Sequence, residues 1–127
     1  MPERILRSVL RLVIGFTFSC HGWQKLLGMF GGLHGHPAHL FHLLWFAGLI
    51  ETIGGALIFL GLFTSPVAFV LSGEMAVAYF TTHFPHGVYP LLNGGELAVV
   101  YCFIYLYLFV AGPGPISLDR AIRGIKS

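Results

Sequence analysis

Charge is what this sequence has least of. Lys, Arg, Asp and Glu together make up 9% of its 127 residues, against about 25% in an ordinary soluble domain. A chain so poor in charge cannot cover itself with polar surface in water. The charge it does carry is nearly balanced, with seven Lys and Arg against five Asp and Glu. No basic stripe runs along any segment, which argues against nucleic acid as a partner. The two cysteines, Cys20 and Cys102, form neither a CxxC pair nor a zinc knuckle. Such thiols behave as small packed hydrophobes. Also missing are a Walker loop, a GxGxxG turn, a nucleophile elbow and a CxxCH haem site. No self-contained soluble active site is left.

What is present is apolar. Hydrophobic residues make up 56% of the chain, and they fall into four runs near Ile5–Leu27, His42–Leu62, Pro66–Phe84 and Leu91–Ala111. Each is close to the about 20 residues that cross a bilayer as a helix. None alternates as the strands of a membrane β-barrel would. Glycine and proline punctuate the runs: Gly31, Gly32, Gly35 and Pro37 after the first, Pro66 at the head of the third, Pro85, Gly87 and Pro90 before the fourth, and Gly112-Pro113-Gly114-Pro115 after it. Ser117 then opens a short amphipathic tail, Leu118–Ile125, suited to a membrane surface. The expected fold is therefore an all-α membrane protein, one domain over residues 1–127, built as a four-transmembrane-helix bundle.

Orientation follows from the cations. Arg4, Arg7 and Arg11 flank the start and Arg120, Arg123 and Lys126 the end, whereas the first and third loops hold no Lys or Arg. The positive-inside rule then puts both termini in the cytoplasm, and an even number of spans agrees with that. A cleaved signal peptide over residues 1–30 is the competing interpretation. The apolar stretch is too long for one, and no A-x-A site follows it.

Three of the five acids, Glu51, Glu74 and Glu96, lie inside the runs. A charge at the bilayer centre costs about 2.5–3.5 kcal/mol on the most lenient insertion scale. Such groups must turn inward and find partners. Arg11, Phe18, His21 and Lys25 share one face of the first helix by their seven- and four-residue spacings. Depth counting places Arg11 near Glu74 or Glu51, and His21 or Lys25 near Glu96. The acids are candidates for proton transfer. The blander alternative makes them clamps that hold helices together at about 0.6 kcal/mol each. Glycines surround them: Gly48, Gly54 and Gly55 around Glu51, Gly73 before Glu74, and Gly94 and Gly95 before Glu96. Small residues let helix backbones approach closely, and the same residues could also make room for a flat ligand ring.

All seven histidines, His21, His34, His36, His39, His42, His83 and His86, fall in the outer half. His36, His39 and His42 are candidate zinc or copper ligands. A solvated loop is the plainer explanation, and a proton-sensing role is a third. Aromatics crowd the third and fourth runs, among them Tyr79, Phe80, Tyr101 and Tyr105. They suit packing or lipid contact, or the lining of a quinone pocket.

Several longer pieces occur in a definite order. His21-Gly22-Trp23-Gln24-Lys25-Leu26 closes the first run. Glu51-Thr52-Ile53-Gly54-Gly55-Ala56-Leu57 leads to Gly61-Leu62-Phe63-Thr64. Glu74 follows, then Asn93-Gly94-Gly95-Glu96, and last Gly112-Pro113-Gly114-Pro115-Ile116-Ser117-Leu118-Asp119. In these pieces the chain resembles the DoxX family of small bacterial membrane proteins over nearly its whole length. The resemblance implies a four-helix membrane bundle and a link to redox physiology. The family is similar to a membrane subunit of thiosulfate:quinone oxidoreductase, and other members are associated with oxidative stress. The positions that match are His21, Gly22, Lys25, Glu51, Gly55, Glu74, Glu96 and Asp119.

The leading expectation is a membrane-embedded redox accessory subunit, part of a homo-oligomer or larger complex. It would bind a quinone or similar flat molecule through Arg11, His21, Lys25 and Gly55. Protons would pass through Glu51, Glu74 and Glu96, and a soluble partner would supply electrons. The alternatives are a non-catalytic membrane scaffold and a small proton- or metal-coupled transporter.

Overall fold

The computed structural model describes residues 2–29 and 42–123. Among them every regular element is a helix. The four apolar runs carry the four long ones. Helix α1 spans Pro2–Leu27, α2 Leu43–Leu60, and α3 Thr64–Ala78. A π-helical turn, Tyr79–His83, and a 3-10 turn, Phe84–His86, extend α3. A single turn, α4 (Pro90–Asn93), precedes α5 (Glu96–Ala111), and α6 (Leu118–Arg123) ends the described chain. By length and composition, α1 is long and apolar enough to cross a membrane, while α2 and α5 are apolar but shorter.

Local chemistry sets the ends. Glu3 in the first turn of α1 and Lys25 in its last turn both complement the helix dipole. Helix α2 stops at Gly61, whose φ of 71° lies in the left-handed region open to glycine. There the N–H of Leu62 donates to the carbonyl of Leu57 (2.9 Å) and the N–H of Gly61 to that of Ile58 (3.1 Å), a Schellman closure. Phe63 follows with φ 52°, the one positive-φ non-glycine among the described residues. Strain of that kind persists only where surroundings impose it. Here Asp119 imposes it: its Oδ1 accepts the N–H of Phe63 (2.8 Å) and its Oδ2 the N–H of Thr64 (2.9 Å), capping α3 from the far end of the chain.

The helices pack as two close pairs, α1 along α2 and α3 along α5, with α2 and α3 touching less extensively. The core between the pairs holds Phe18, Ile58, Leu71, Met75, Tyr105 and Leu108. The outside is apolar too. Leu6, Phe69, Val77, Phe103 and Val110 are all exposed, Val110 by 79%. An apolar surface this continuous is stable in lipid and not in water.

Candidate functional site

Two glycines on α1 set the site up. A Cβ on Gly15 would lie 2.7 Å from the Cα of Phe59, and one on Gly22 would lie 2.6 Å from the backbone N of Thr52. As the α1 position climbs from 15 to 22, the α2 partner descends from 59 to 52, so the pair runs antiparallel. The same contact buries Gly48 and Gly55: a Cβ on Gly48 would lie 2.8 Å from the Cβ of Lys25, and one on Gly55 would lie 2.9 Å from the N of Ser19. Backbones this close bring Lys25 within reach of α2.

Lys25 uses that reach. Its Nζ donates to both oxygens of Glu51, at 2.8 Å to Oε1 and 2.6 Å to Oε2. Glu51 is 1% exposed and Lys25 19%. A buried carboxylate needs a partner of this kind to remain charged. Glu74, on α3, faces the Glu51 carboxyl and feels the charge of Lys25. Its Oε1 is buried without a hydrogen-bond partner. His21, one turn before Lys25, lies in the fields of Glu51 and Lys25, and its ring meets Tyr101 edge-on at 5.8 Å. The Tyr101 hydroxyl donates to Thr17 Oγ1 (3.1 Å), which tethers α5 to α1. Tyr105 stacks below Tyr101. It is fully buried and its hydroxyl has no partner.

A cavity of about 230 Å³ opens over this cluster. Lys25, Glu51 and His21 line its polar side, Phe18, Met75 and Tyr101 its apolar side, and His83 and Gly94 its mouth. Its helical lining comes from the halves of α1, α2, α3 and α5 that lie away from the termini. The π-helical turn brings His83 to the rim. Such turns recur at functional sites because they re-aim side chains. Asn93, 8% exposed, organises that rim. Its Nδ2 donates to the carbonyl of Gly87 (2.9 Å) and to the hydroxyl of Tyr79 (3.1 Å), and its Oδ1 accepts the N–H of Gly95 (2.8 Å).

The sequence-derived candidates divide accordingly. Glu51, Glu74, His21 and Lys25 come together. Lys25 pairs with Glu51 and not with Glu96. Glu96 is exposed at the first turn of α5, where a carboxylate suits the positive end of the helix dipole. Arg11 does not pair with Glu51 or Glu74. It is 1% exposed and spends its guanidinium on four backbone carbonyls: Pro113 (2.9 Å), Ile58 (2.8 Å), Phe59 (2.6 Å) and Ile116. It lies fourteen residues from Lys25, about 21 Å along the helix. Those carbonyls belong to the open end of α2 and to the returning Gly112–Ser117 segment, which need donors. Gly55 faces Ser19 across the helix contact and does not line the cavity. His42 is exposed just before α2, while His34, His36 and His39 lie outside the described residues. Among the described residues no group of three His, Cys, Asp or Glu is placed to hold a metal. Tyr101, Asn93 and Asp119 carry more of the architecture than their sequence context announces. The signal available for Asn93 was its place before two glycines, a frequent turn pattern.

The family model described as DoxX matches residues 6–84. A protein of Haemophilus influenzae, described as "Uncharacterized protein", is 42% identical over 122 residues, covering 89% of this chain and 87% of its own length. No solved structure matches.

Proposed function

Because the chain belongs to the DoxX family of membrane proteins, we propose that it is a membrane-embedded redox accessory subunit whose acid cluster binds a quinone headgroup and delivers protons to it. In this proposal the chain is one domain over residues 1–127. It crosses the bacterial inner membrane four times with both termini in the cytoplasm, and a soluble partner supplies electrons. It works as a homo-oligomer or complex subunit.

The observation that carries the proposal is the two-pronged Lys25–Glu51 ion pair, with Glu74 beside it, on one wall of a cavity. Structural clamps need only hydroxyls or amides, whereas two carboxyls against one ammonium are what proton transfer requires. The pair can hold one proton between them while Lys25 balances the remaining charge. The cavity fits a ring and not a whole lipid-like molecule. At about 230 Å³ it is smaller than the roughly 300–1,000 Å³ pockets that enclose drug-sized ligands. Phe18 and Tyr101 supply flat apolar walls, and Lys25 and His21 supply donors toward a carbonyl oxygen. When bound, a quinone takes up two electrons and two protons. Lys25 would stabilise negative charge developing on its oxygen, and the Glu51–Glu74 pair would deliver the two protons one at a time, taking up a second from the surface after giving the first. Glu96, exposed next to the cavity-lining Leu97, would recharge them from the surface. Arg11 would serve the ligand only indirectly, by fixing the far end of the α1–α2 pair.

Titration of a short-chain ubiquinone into the protein in lipid nanodiscs tests this. Lys25→Met and Glu51→Gln are expected to weaken binding at least about tenfold, or about 1.4 kcal/mol. Glu3→Gln, exposed at the opposite end, should leave it unchanged. Equal binding by all four proteins would remove the proposal.

A further inference from the structure

From the last turn of α3 to the start of α5 the chain runs for 21 residues, Met75 to Gly95, without an Asp, Glu, Lys or Arg. The turn at its centre is turned inside out for water. Val88 is 67% exposed, Tyr89 69%, and Leu91 and Leu92 78% each.

Much of the polar backbone of the same turn finds partners within the protein. The N–H of Gly87 donates to the carbonyl of Phe84 (3.0 Å), and those of Leu92 and Asn93 donate to the carbonyl of Tyr89 (3.0 and 2.9 Å). The carbonyl of Gly87 accepts from Asn93 Nδ2, and that of Val88 from the Tyr79 hydroxyl (3.2 Å). The Asn93 carbonyl meets His83 Nδ1 at 3.3 Å. Pro85 and Pro90 have no N–H to satisfy. Loops at a water surface leave such groups to solvent. Non-helical backbone survives near hydrocarbon only when its polar groups are satisfied by protein.

We infer that residues 87–92 form a wedge seated in the interfacial layer of the bilayer. Val88, Tyr89, Leu91 and Leu92 enter the headgroup–acyl boundary, and Asn93 holds the backbone closed behind them. The occupant of this surface is lipid. The wedge continues the exposed apolar faces of its flanking helices, Val77 and Phe80 before it and Leu97 and Val100 after it. No charge on it selects a polar partner. Tyr89 is its titratable side chain, and His83 and His86 precede it, His86 exposed at the end of the 3-10 turn. The wedge also sets how the cavity is reached. His83 and Gly94, which flank it on either side, both line the cavity, so a hydrophobic molecule would enter from lipid. That consequence rests on the quinone proposal, whereas the wedge does not.

The test is a nitroxide at Leu91→Cys, Leu92→Cys or Val88→Cys, with Cys20 and Cys102 replaced by alanine. The protein is held in phosphatidylethanolamine–phosphatidylglycerol vesicles, and Glu3→Cys is the aqueous control. Oxygen should relax the labels at 88, 91 and 92 several-fold more than a nickel chelate does, with the reverse at residue 3. Nickel dominance at 91 and 92 would put the turn in water. Labels reached by neither reagent would mean that protein covers it. Either result overturns the inference. If the cysteine-free chain does not fold, Leu91→Trp in the native chain answers the same question. Added emission quenched by lipids brominated near the headgroup supports the wedge, and quenching by aqueous iodide overturns it. No ligand enters either measurement, so the wedge can fail without the quinone titration failing, and the reverse.

Discussion

Removing the ammonium of Lys25 is the perturbation whose cost the structure defines best. Lys25→Met keeps the length of the side chain but deletes both contacts, 2.6 and 2.8 Å, to a carboxylate that is 1% exposed. A buried charge stripped of its partner costs about 3–5 kcal/mol. Glu51→Leu alone should cost less, about 1–3 kcal/mol, the range for one stranded polar group. Lys25 is 19% exposed, and its stem can carry the ammonium toward the interface. Replacing both, Lys25→Met with Glu51→Leu, exchanges a buried ion pair for apolar packing. Such exchanges are near neutral or stabilising. The double variant should therefore be more stable than Lys25→Met by about 3 kcal/mol. Reversible unfolding of the reconstituted protein in mixed detergent–lipid micelles reads all four corners of the cycle. Simple additivity, with the double variant as unstable as the two singles summed, would refute the claim that these groups share one interaction.

Four further outcomes follow from the packing. Gly22→Ala, whose Cβ meets the backbone of Thr52 and Gly48, should lose about 1–3 kcal/mol by overpacking. Gly73→Ala, with nothing within 4 Å, should gain about 0.4–1 kcal/mol in the same unfolding assay. Arg11→Met leaves four carbonyls without their donor. Charged hydrogen bonds are worth about 1.5–3 kcal/mol each, so the variant should release the Gly112–Arg123 segment to protease or fail to fold. Tyr105→Phe removes a buried hydroxyl that has no partner. It should leave stability unchanged or raised, and a clear loss of stability would contradict the unpartnered state.

The helices were legible in the chain because length and apolarity are local properties. Each of the four apolar runs carries one long helix, and Gly61 and Gly112 end two of them. The irregular pieces were less visible. Apolar content does not distinguish a π-helical turn from an α-helix, so the third run reads straight through Tyr79–His83. The fourth run likewise begins in what is a separate turn, Pro90–Asn93, set off by left-handed Gly94. Within the site, the inward face of α1 was readable from spacing, and Arg11 and Phe18 are indeed buried on it. Partner choice was not. Depth counting set His21 or Lys25 against Glu96, but the register of α1 on α2 is decided by Gly22 meeting Thr52 and Gly15 meeting Phe59. That contact seats Lys25 on Glu51. Arg11 invited a carboxylate partner, yet its partners are carbonyls at the end of α2 and of a segment more than a hundred residues away that folds back beneath it. Asp119 was visible only as a motif position. Its work at the head of α3 depends on the same fold-back.

The central claim is that a charged lysine and a buried glutamate meet inside the bundle while the protein sits in lipid. Solid-state NMR can measure this in bilayers, through dipolar dephasing between 15Nζ of lysine and 13Cδ of glutamate. Lys25 is the only lysine besides Lys126, so assignment is direct. Dephasing at the rate of direct contact, abolished by Glu51→Gln and retained in Glu96→Gln, is the predicted result. Absence of dephasing at Lys25, or its transfer to Glu96, would contradict the account.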